Sequence, residues 1–464
     1  MKPPNLLLLL LCIPLFKLFA QAKTNGEPTI QTDKLKEDFL FMREKLEANH
    51  PNLYLYTGKQ EIDKLFDSLY NNIAEPLTVS GFYKHISCIS SVIKDGHTIL
   101  LPATKTTDYH NKYSPFLPYH FTILENRLFI DMTCTNDTSI SDGDEILSIN
   151  NISSSEIIQA LMTRQIRDGH NLTYPLWILN NFMREYYSFI FGHPETYSIR
   201  YAQNNQVVTA TIKGMLKDSI YYYRKLKYPE RINEKKPKEG LTLRFAPDNK
   251  YAILTIRDFH NDVLRKVYEQ NFEEVISGYF EQINNKAIPN LILDLRNNQG
   301  GDLPNGTFLL SWLMDTSFKV IDAYYKVDHS KNEFELKKVS GQSMGTHNPK
   351  ENAYKGKLYV LINGGSFSNS GIVASCLKKN NRALFIGEET GGDNKILTGN
   401  AEDFYLPNST ILIEIPTKQY LLDASLPLTG RGTMADYTVK PDLRSIINNT
   451  DTIMDFTIDL VQKK

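Results

Sequence analysis

Cysteine is scarce in this sequence of 464 residues, with four in all. Cys12 lies inside an N-terminal apolar run, which leaves Cys88, Cys134 and Cys376 for the folded chain. Three thiols close at most one intramolecular disulfide, which excludes a scaffold held together by bridges. No CxxC pair and no Cys/His cluster has the spacing of a structural zinc site, so no metal is implied. Charge of one sign is missing too. The 52 Lys and Arg oppose 53 Asp and Glu, a formal net charge of −1. That balance leaves no electrostatic footprint for nucleic acid or for an acidic surface. A long apolar run is also absent from the start of the chain. Residues 6–16, interrupted only by Pro14, fall short of the roughly 20 residues that span a bilayer.

What is present begins with that short run. Met1-Lys2 before it and Ala20-Gln21-Ala22 after it complete the three parts of a secretory signal peptide, assigned to residues 1–22. The mature chain is then expected to be exported, periplasmic or extracellular, with no membrane span once the signal is removed. The remainder has globular composition, 41% hydrophobic and 23% charged, and length for about three domains.

Periodicity divides the mature chain. Leu35, Phe39, Met42 and Leu46 recur at helical spacing, as do Ile62, Leu65, Phe66 and Leu69, then Phe82, Ile86, Ile89 and Ile93. Residues 23–97 therefore read as a helical domain. It closes on the polar turn Asp95-Gly96-His97-Thr98, where Gly96 suits a sharp bend. Residues 98–215 read as short strands, with a turn, strand and second turn across 142–151 and a helical stretch at Glu156-Ile157-Ile158. Residues 216–240, charged and carrying Pro229 and Pro237, read as a linker. Residues 241–464 alternate apolar strands (251–256, 291–295, 358–362, 383–386, 411–415) with helical periods. That is the pattern of a layered α/β domain.

Two strand ends carry candidate chemistry. The strand at 291–295 ends in Arg296-Asn297-Asn298-Gln299-Gly300-Gly301. Paired glycines there let backbone N–H groups converge as an oxyanion hole, although a double glycine is more often only a turn. The strand at 358–362 ends in Gly364-Gly365-Ser366-Phe367-Ser368-Asn369-Ser370-Gly371, a source of a hydroxyl nucleophile. Such a nucleophile needs a base, and histidine has the suitable pKa. His97 is the candidate, against the plainer reading of a turn histidine bonded to nearby backbone. His260 is the histidine beside a strand end of the α/β domain.

Together these segments resemble the C-terminal processing protease and tricorn-core family of serine peptidases. "DLRNNQGG" (294–301) is similar to its glycine-rich strand end. "SFSNSGIVAS" with "RALFIGEETGG" (366–392) is similar to its nucleophile turn, helix and next strand. "KDGHT" (94–98) resembles the histidine turn of the tricorn-like branch, and "GDEILSINN" (143–151) a PDZ-type strand and turn. The resemblance implies a ClpP/crotonase-like α/β catalytic domain with an N-terminal helical domain and a PDZ-like β-rich segment. It implies Ser368 as nucleophile, His97 as base, and N–H groups of Asn369 with Gly300 or Gly301 as the oxyanion hole. Ser366 and Ser370 become turn serines with a capping role for a helix starting near Gly371.

Departures from the family sharpen the branch. The processing-protease lysine is absent, because Thr390-Gly391-Gly392-Asp393 stands in its place and Lys395 is displaced by two. The glutamate of the tricorn-like branch falls on Thr429, which leaves the orienting acid unassigned and Asp436 structural. The expected function is an exported serine peptidase acting without cofactor on peptides or unfolded proteins held by strand addition. Two alternatives stay open: a catalytically inactive protein binding a peptide or small molecule on the same fold, and an acyl-transfer enzyme such as an esterase.

Overall fold

The computed structural model describes residues 27–204, 206–231, 238–331 and 334–463. The proposed signal peptide and the middle of the proposed linker lie outside the described residues. The chain divides into two compact units. The first holds residues up to 166 with 179–229 and 401–416, and the second holds 167–178, 230–400 and 417–464.

The first unit opens with helices α1 (Thr32–Asn49) and α2 (Lys59–Asn71). Each buries the residues its periodicity marks: Leu35, Phe39, Met42 and Leu46 on α1, Ile62, Leu65, Phe66 and Leu69 on α2. Phe39 meets Phe66 edge-on at 6.1 Å. The third helical period is two helices, α3 (Val79–Ile86) and α4 (Ile89–Ile93). Helix α4 ends on Lys94, which takes the left-handed conformation (φ +59°) and returns its N–H to Ser90. The sharp bend of this turn therefore falls on Lys94, at the helix C-cap, and not on Gly96.

Strand β1 (Ile99–Leu101) pairs with residues 412–414. After helix α5 (Thr104–Tyr113) comes a sheet of β2 (Tyr119–Leu124), β3 (Arg127–Thr133), β4 (Glu145–Ile149), β5 (Thr196–Gln203) and β6 (Gln206–Lys213), hydrogen-bonded in that order. Left-handed Glu125 and Asn126 turn β2 into β3, and Asn150 and Asn151 close the turn after β4. Helix α6 (Ser154–Met162) starts on a reciprocal capping box of Ser153 and Glu156.

Helix α7 (Thr173–Phe191) has no counterpart in the sequence reading. Its run of aromatic and aliphatic residues is apolar on nearly all sides, so no helical stripe stands out, and it kinks at Phe182. Within the stretch read as linker, helix α8 (Lys217–Lys227) packs Ile220 against Phe116, Met132 and Cys134.

The second unit is built on a sheet of β7 (Leu241–Phe245), β8 (Ala252–Ile256), β9 (Asn290–Asp294), β10 (Lys357–Ile362), β11 (Leu384–Gly387) and β12 (Tyr437–Thr438), adjacent in that order. Only β7 is antiparallel; β8 to β12 are parallel. Four of the five apolar runs of the last third are strands of this sheet. The fifth, around 411–415, belongs to a strand outside it. The period between β8 and β9 resolves into α9 (Asn261–Tyr268) and α10 (Phe272–Asn285), broken at left-handed Glu269.

Alternation fixes the layers. Leu291, Leu293, Leu358, Val360 and Ile362 face a core shared with α10, with α11 (Leu303–Leu313) and with α12 (Asn369–Lys379). Ile292, Tyr359, Leu361 and Ile386 face the opposite side, covered by α13 (Thr452–Gln462). Both faces of a parallel sheet are thus buried, as crossover helices require. Cys88, Cys134 and Cys376 are free and buried, and burial pushes the Cys134 and Cys376 thiols up to about 11 and about 12. They pack as small hydrophobes.

Candidate active site

The carboxyl ends of the parallel strands in the second unit gather four turns: 257–260, 295–301, 363–368 and 388–393. In such sheets ligands bind at this edge. Ser368 leaves the third turn with φ +52° and ψ −122° and is the N-cap of α12, which begins at Asn369. A non-glycine residue there is strained by about 1–3 kcal/mol and persists only where its surroundings determine it. This is the strand–turn–helix geometry that lifts a serine hydroxyl off a sheet edge.

Neither neighbouring serine caps the helix. The Ser366 hydroxyl donates to the Leu295 carbonyl at 2.9 Å and accepts the Asn363 N–H at 3.1 Å, tying the turn to the adjacent strand end. The Ser370 hydroxyl is buried without a hydrogen-bond partner among the described residues. The capping expectation fails because the helix starts two residues early, at Asn369, and Ser368 takes the cap position. Ser366→Ala is therefore expected to destabilise the fold by about 1–3 kcal/mol, since it leaves the Asn363 N–H without this acceptor and removes a buried bond to the Leu295 carbonyl. Ser370→Ala is expected to cost nothing, because it removes an unsatisfied buried hydroxyl. Urea denaturation of the two variants checks this.

The glycine turn packs directly on Ser368. A Cβ placed on Gly300 (φ +107°) would stand 2.7 Å from Ser368 Cβ and 2.8 Å from the Asn369 nitrogen. One placed on Gly301 (φ +133°) would stand 2.3 Å from the His260 nitrogen. Only glycine fits either position. The Gly300 N–H donates to Asn298 Oδ1 at 2.8 Å. Asn369 is the first residue of α12, where helix geometry leaves N–H groups without an intrahelical acceptor and the macrodipole is positive. Its side chain is held by Asp302, whose carbonyl accepts Asn369 Nδ2 at 2.7 Å. Arg296, in the same turn, bridges Asp294 and Asp451 and so ties the strand end to the start of α13.

A segment remote in sequence completes this edge. Residues 167–178 lie in the second unit, and their side chains reach three of the four turns, 295–301, 363–368 and 388–393. Tyr174 stacks on Phe367 (4.1 Å, 10°), and Trp177 donates to Asn297 Oδ1 at 2.8 Å. Asn171 donates to the Thr390 carbonyl at 2.8 Å. No motif marks this segment, and these stacking and hydrogen-bond partners are remote in sequence.

Other residues singled out in the sequence have structural partners. Lys395 Nζ is hydrogen-bonded to the Leu426 carbonyl. Asp393, where the processing lysine would stand, accepts the N–H groups of Lys395 and Ile396. Asp436 accepts the Phe385 N–H and pairs with Lys378. Thr429 is exposed. Glu389, a further buried carboxylate at this edge, is held by Arg431 at 2.6 and 2.9 Å and by the Gly432 N–H at 2.7 Å. His260 is paired with Asp258 at 2.8 Å; that hydrogen bond holds its imidazole above the ordinary value, against burial.

His97 belongs to the first unit, together with the groups that shape its turn. Asp95 Oδ1 accepts the His97 N–H at 2.9 Å and the Thr98 hydroxyl at 3.0 Å. His50 Nδ1 accepts the Asn52 N–H, so its Nε2 carries the proton and donates to Thr98 Oγ1 at 2.7 Å. This chain from His50 through Thr98 to Asp95 fixes the backbone beneath His97. Burial holds the His97 imidazole below its ordinary value, with the Asp95 carboxylate pulling the other way. In the same unit, the edge strand β2 has Ile123 engaged by Asn180, whose Oδ1 accepts the Ile123 N–H at 2.7 Å.

Compared with known families, residues 250–439 match peptidase family S41. This stretch is similar to an S41 domain. It contains Ser368, Asn369 and both glycines. The carboxyl-terminal-processing peptidase 3, chloroplastic, of Arabidopsis thaliana is 32% identical over 129 residues, 28% of this chain and 22% of that protein. The C-terminal processing peptidase, chloroplastic, of Tetradesmus obliquus is 31% identical over 131 residues, 28% of this chain and 25% of its own. A probable CtpA-like serine protease of Staphylococcus aureus (strain COL) is 23% identical over 259 residues, 55% of this chain and 45% of the other. The chain thus spans less than half the length of these curated relatives. In fold it is similar to mature CPAF, with a TM-score of 0.66 and 12% identity over 93% of this chain and 98% of that one. The matched region is thus a mixed α/β layer of the expected class.

Proposed function

We propose that this chain is a serine peptidase in which Ser368 is the nucleophile and His97 its general base. The observation that carries the reading is the strained backbone of Ser368, held against a glycine turn at the sheet edge of the S41-like domain. Strain of this kind collects where it serves a mechanism. Ser368 Oγ attacks the peptide carbonyl carbon while His97 takes its proton. The carbonyl oxygen becomes an oxyanion and accepts the N–H groups of Asn369 and Gly301; Gly300 has already given its own to Asn298. Collapse breaks the C–N bond, the amine leaves with the proton from His97, and water hydrolyses the acyl-serine by the same steps. The names of the curated relatives support peptide bonds of protein substrates as the target. A fluorophosphonate probe tests the reading: the wild-type protein is expected to label and Ser368→Ala is not. An unlabelled wild-type chain returns the protein to the non-catalytic alternative.

We further propose export, on the basic start, short apolar run and Ala20-Gln21-Ala22 of the leader. N-terminal sequencing of protein recovered from outside the inner membrane is expected to begin at Lys23. A stable product that retains the leader counts against export with cleavage.

A further inference from the structure

Ser368 sits in a conformation it does not adopt by preference, so neighbouring groups must hold it there. On its C-terminal side the hold is local: Asn369 is anchored to Asp302, and the Ile372 N–H closes on the Ser368 carbonyl at 2.9 Å. On its N-terminal side Phe367 supplies the hold, and its N–H donates to the Asn298 carbonyl at 3.1 Å. The Phe367 ring lies flat on Tyr174.

Tyr174 is itself fixed from three directions. Its N–H donates to Asn171 Oδ1 at 2.9 Å, and its hydroxyl donates to Gln299 Oε1 at 3.4 Å. Trp177 stacks at 6.0 Å and 15°. A Cβ on Gly391 would stand 3.0 Å from Tyr174 Cβ, so the 388–393 turn closes against it as well. One aromatic residue therefore touches the nucleophile turn, the glycine turn and the turn after β11.

We infer that Tyr174 is a positioning residue: its ring locks Phe367 and thereby holds Ser368 in register with the Asn369 and Gly301 N–H groups. The inference rests on the assignment of Ser368 as nucleophile. Released from the stack, Phe367 can rotate and the strained Ser368 relaxes toward an ordinary backbone conformation, moving its hydroxyl by a fraction of its reach. Misplacement on that scale costs about 10²-fold in rate.

The test compares Tyr174→Ala with Tyr174→Phe, which keeps the stacking face and loses only the long bond to Gln299. In Tyr174→Ala, kcat and the fluorophosphonate labelling rate are expected to fall about 10²-fold. KM and the acid limb of the pH profile should barely change. Hydrogen exchange at the amides of residues 366–371 is expected to accelerate. Tyr174→Phe is expected to restore both the rate and the protection. Should the alanine variant fail to fold, Tyr174→Leu, which fills the space without a flat face, takes its place under the same criteria. Unchanged kcat, or a rise in KM alone, overturns the inference. So does a loss of rate without faster exchange at 366–371. If Ser368→Ala retains activity, the nucleophile assignment fails separately, and the exchange measurement alone decides whether Tyr174 holds the turn.

Discussion

Ser368→Ala is expected to abolish peptide hydrolysis and fluorophosphonate labelling while the chain stays folded. Loss of a nucleophilic serine from a catalytic unit removes rate on the scale of about 10⁶-fold, leaving only what binding and the oxyanion donors supply. Alanine keeps a Cβ, so the backbone strain at φ +52° persists in that variant. Ser368→Gly relieves it. The glycine variant is expected to be inactive yet more stable than Ser368→Ala. The strain recovered is about 1–3 kcal/mol, against about 0.5–1 kcal/mol for the greater chain entropy of glycine. Urea denaturation with circular dichroism, beside probe labelling, reads both effects. Ser366→Ala is expected to lose stability and keep labelling. An equal loss of labelling in Ser366→Ala and Ser368→Ala would place the nucleophile elsewhere in the turn.

His97→Ala is expected to remove activity to a similar degree, whereas Lys395→Ala is not. Lys395 Nζ is engaged by the carbonyl of Leu426. The pH profile gives an independent reading. A general base must be neutral to accept the serine proton, so activity falls as pH drops through the His97 pKa. Because burial lowers that pKa in the folded chain, the acid limb is expected below about 6.5, the ordinary imidazole value. The rate should therefore persist at mildly acidic pH and then fall with a single protonation. An acid limb above that value, with activity retained in His97→Ala and lost in Lys395→Ala, would transfer the role to the lysine. His50 and Asp95 supply a graded control. Asp95→Asn leaves the turn hydrogen-bonded and removes a charge that raises the His97 pKa, so it should move the acid limb further down.

Much of the architecture was legible before any coordinates. The stripes Leu35–Phe39–Met42–Leu46 and Ile62–Leu65–Phe66–Leu69 are buried as written, because a helix face that packs on a core must repeat at 3.6 residues. The apolar runs at 291–295 and 358–362 became central parallel strands, because strands buried on both faces need no polar alternation. Glycines after those strands, and the small residues around Ser368, marked the carboxyl edge for the same local reason: tight turns exclude side chains. Local sequence also limited the reading. Helix α7 is apolar on too many sides to show a stripe, and the break at Glu269 depends on one left-handed residue.

Tertiary structure alone decided which groups meet. The role of Ser366 came from Leu295 on the neighbouring strand, and that of Arg296 from Asp451 at a distant helix start. Glu389 is taken by Arg431, and Phe367 is covered by Tyr174 from a segment nearly two hundred residues earlier in the chain. Periodicity and turn chemistry are properties of a few consecutive residues, so a sequence carries them openly. The pairing of side chains across strands depends on register and crossover, which no local pattern encodes.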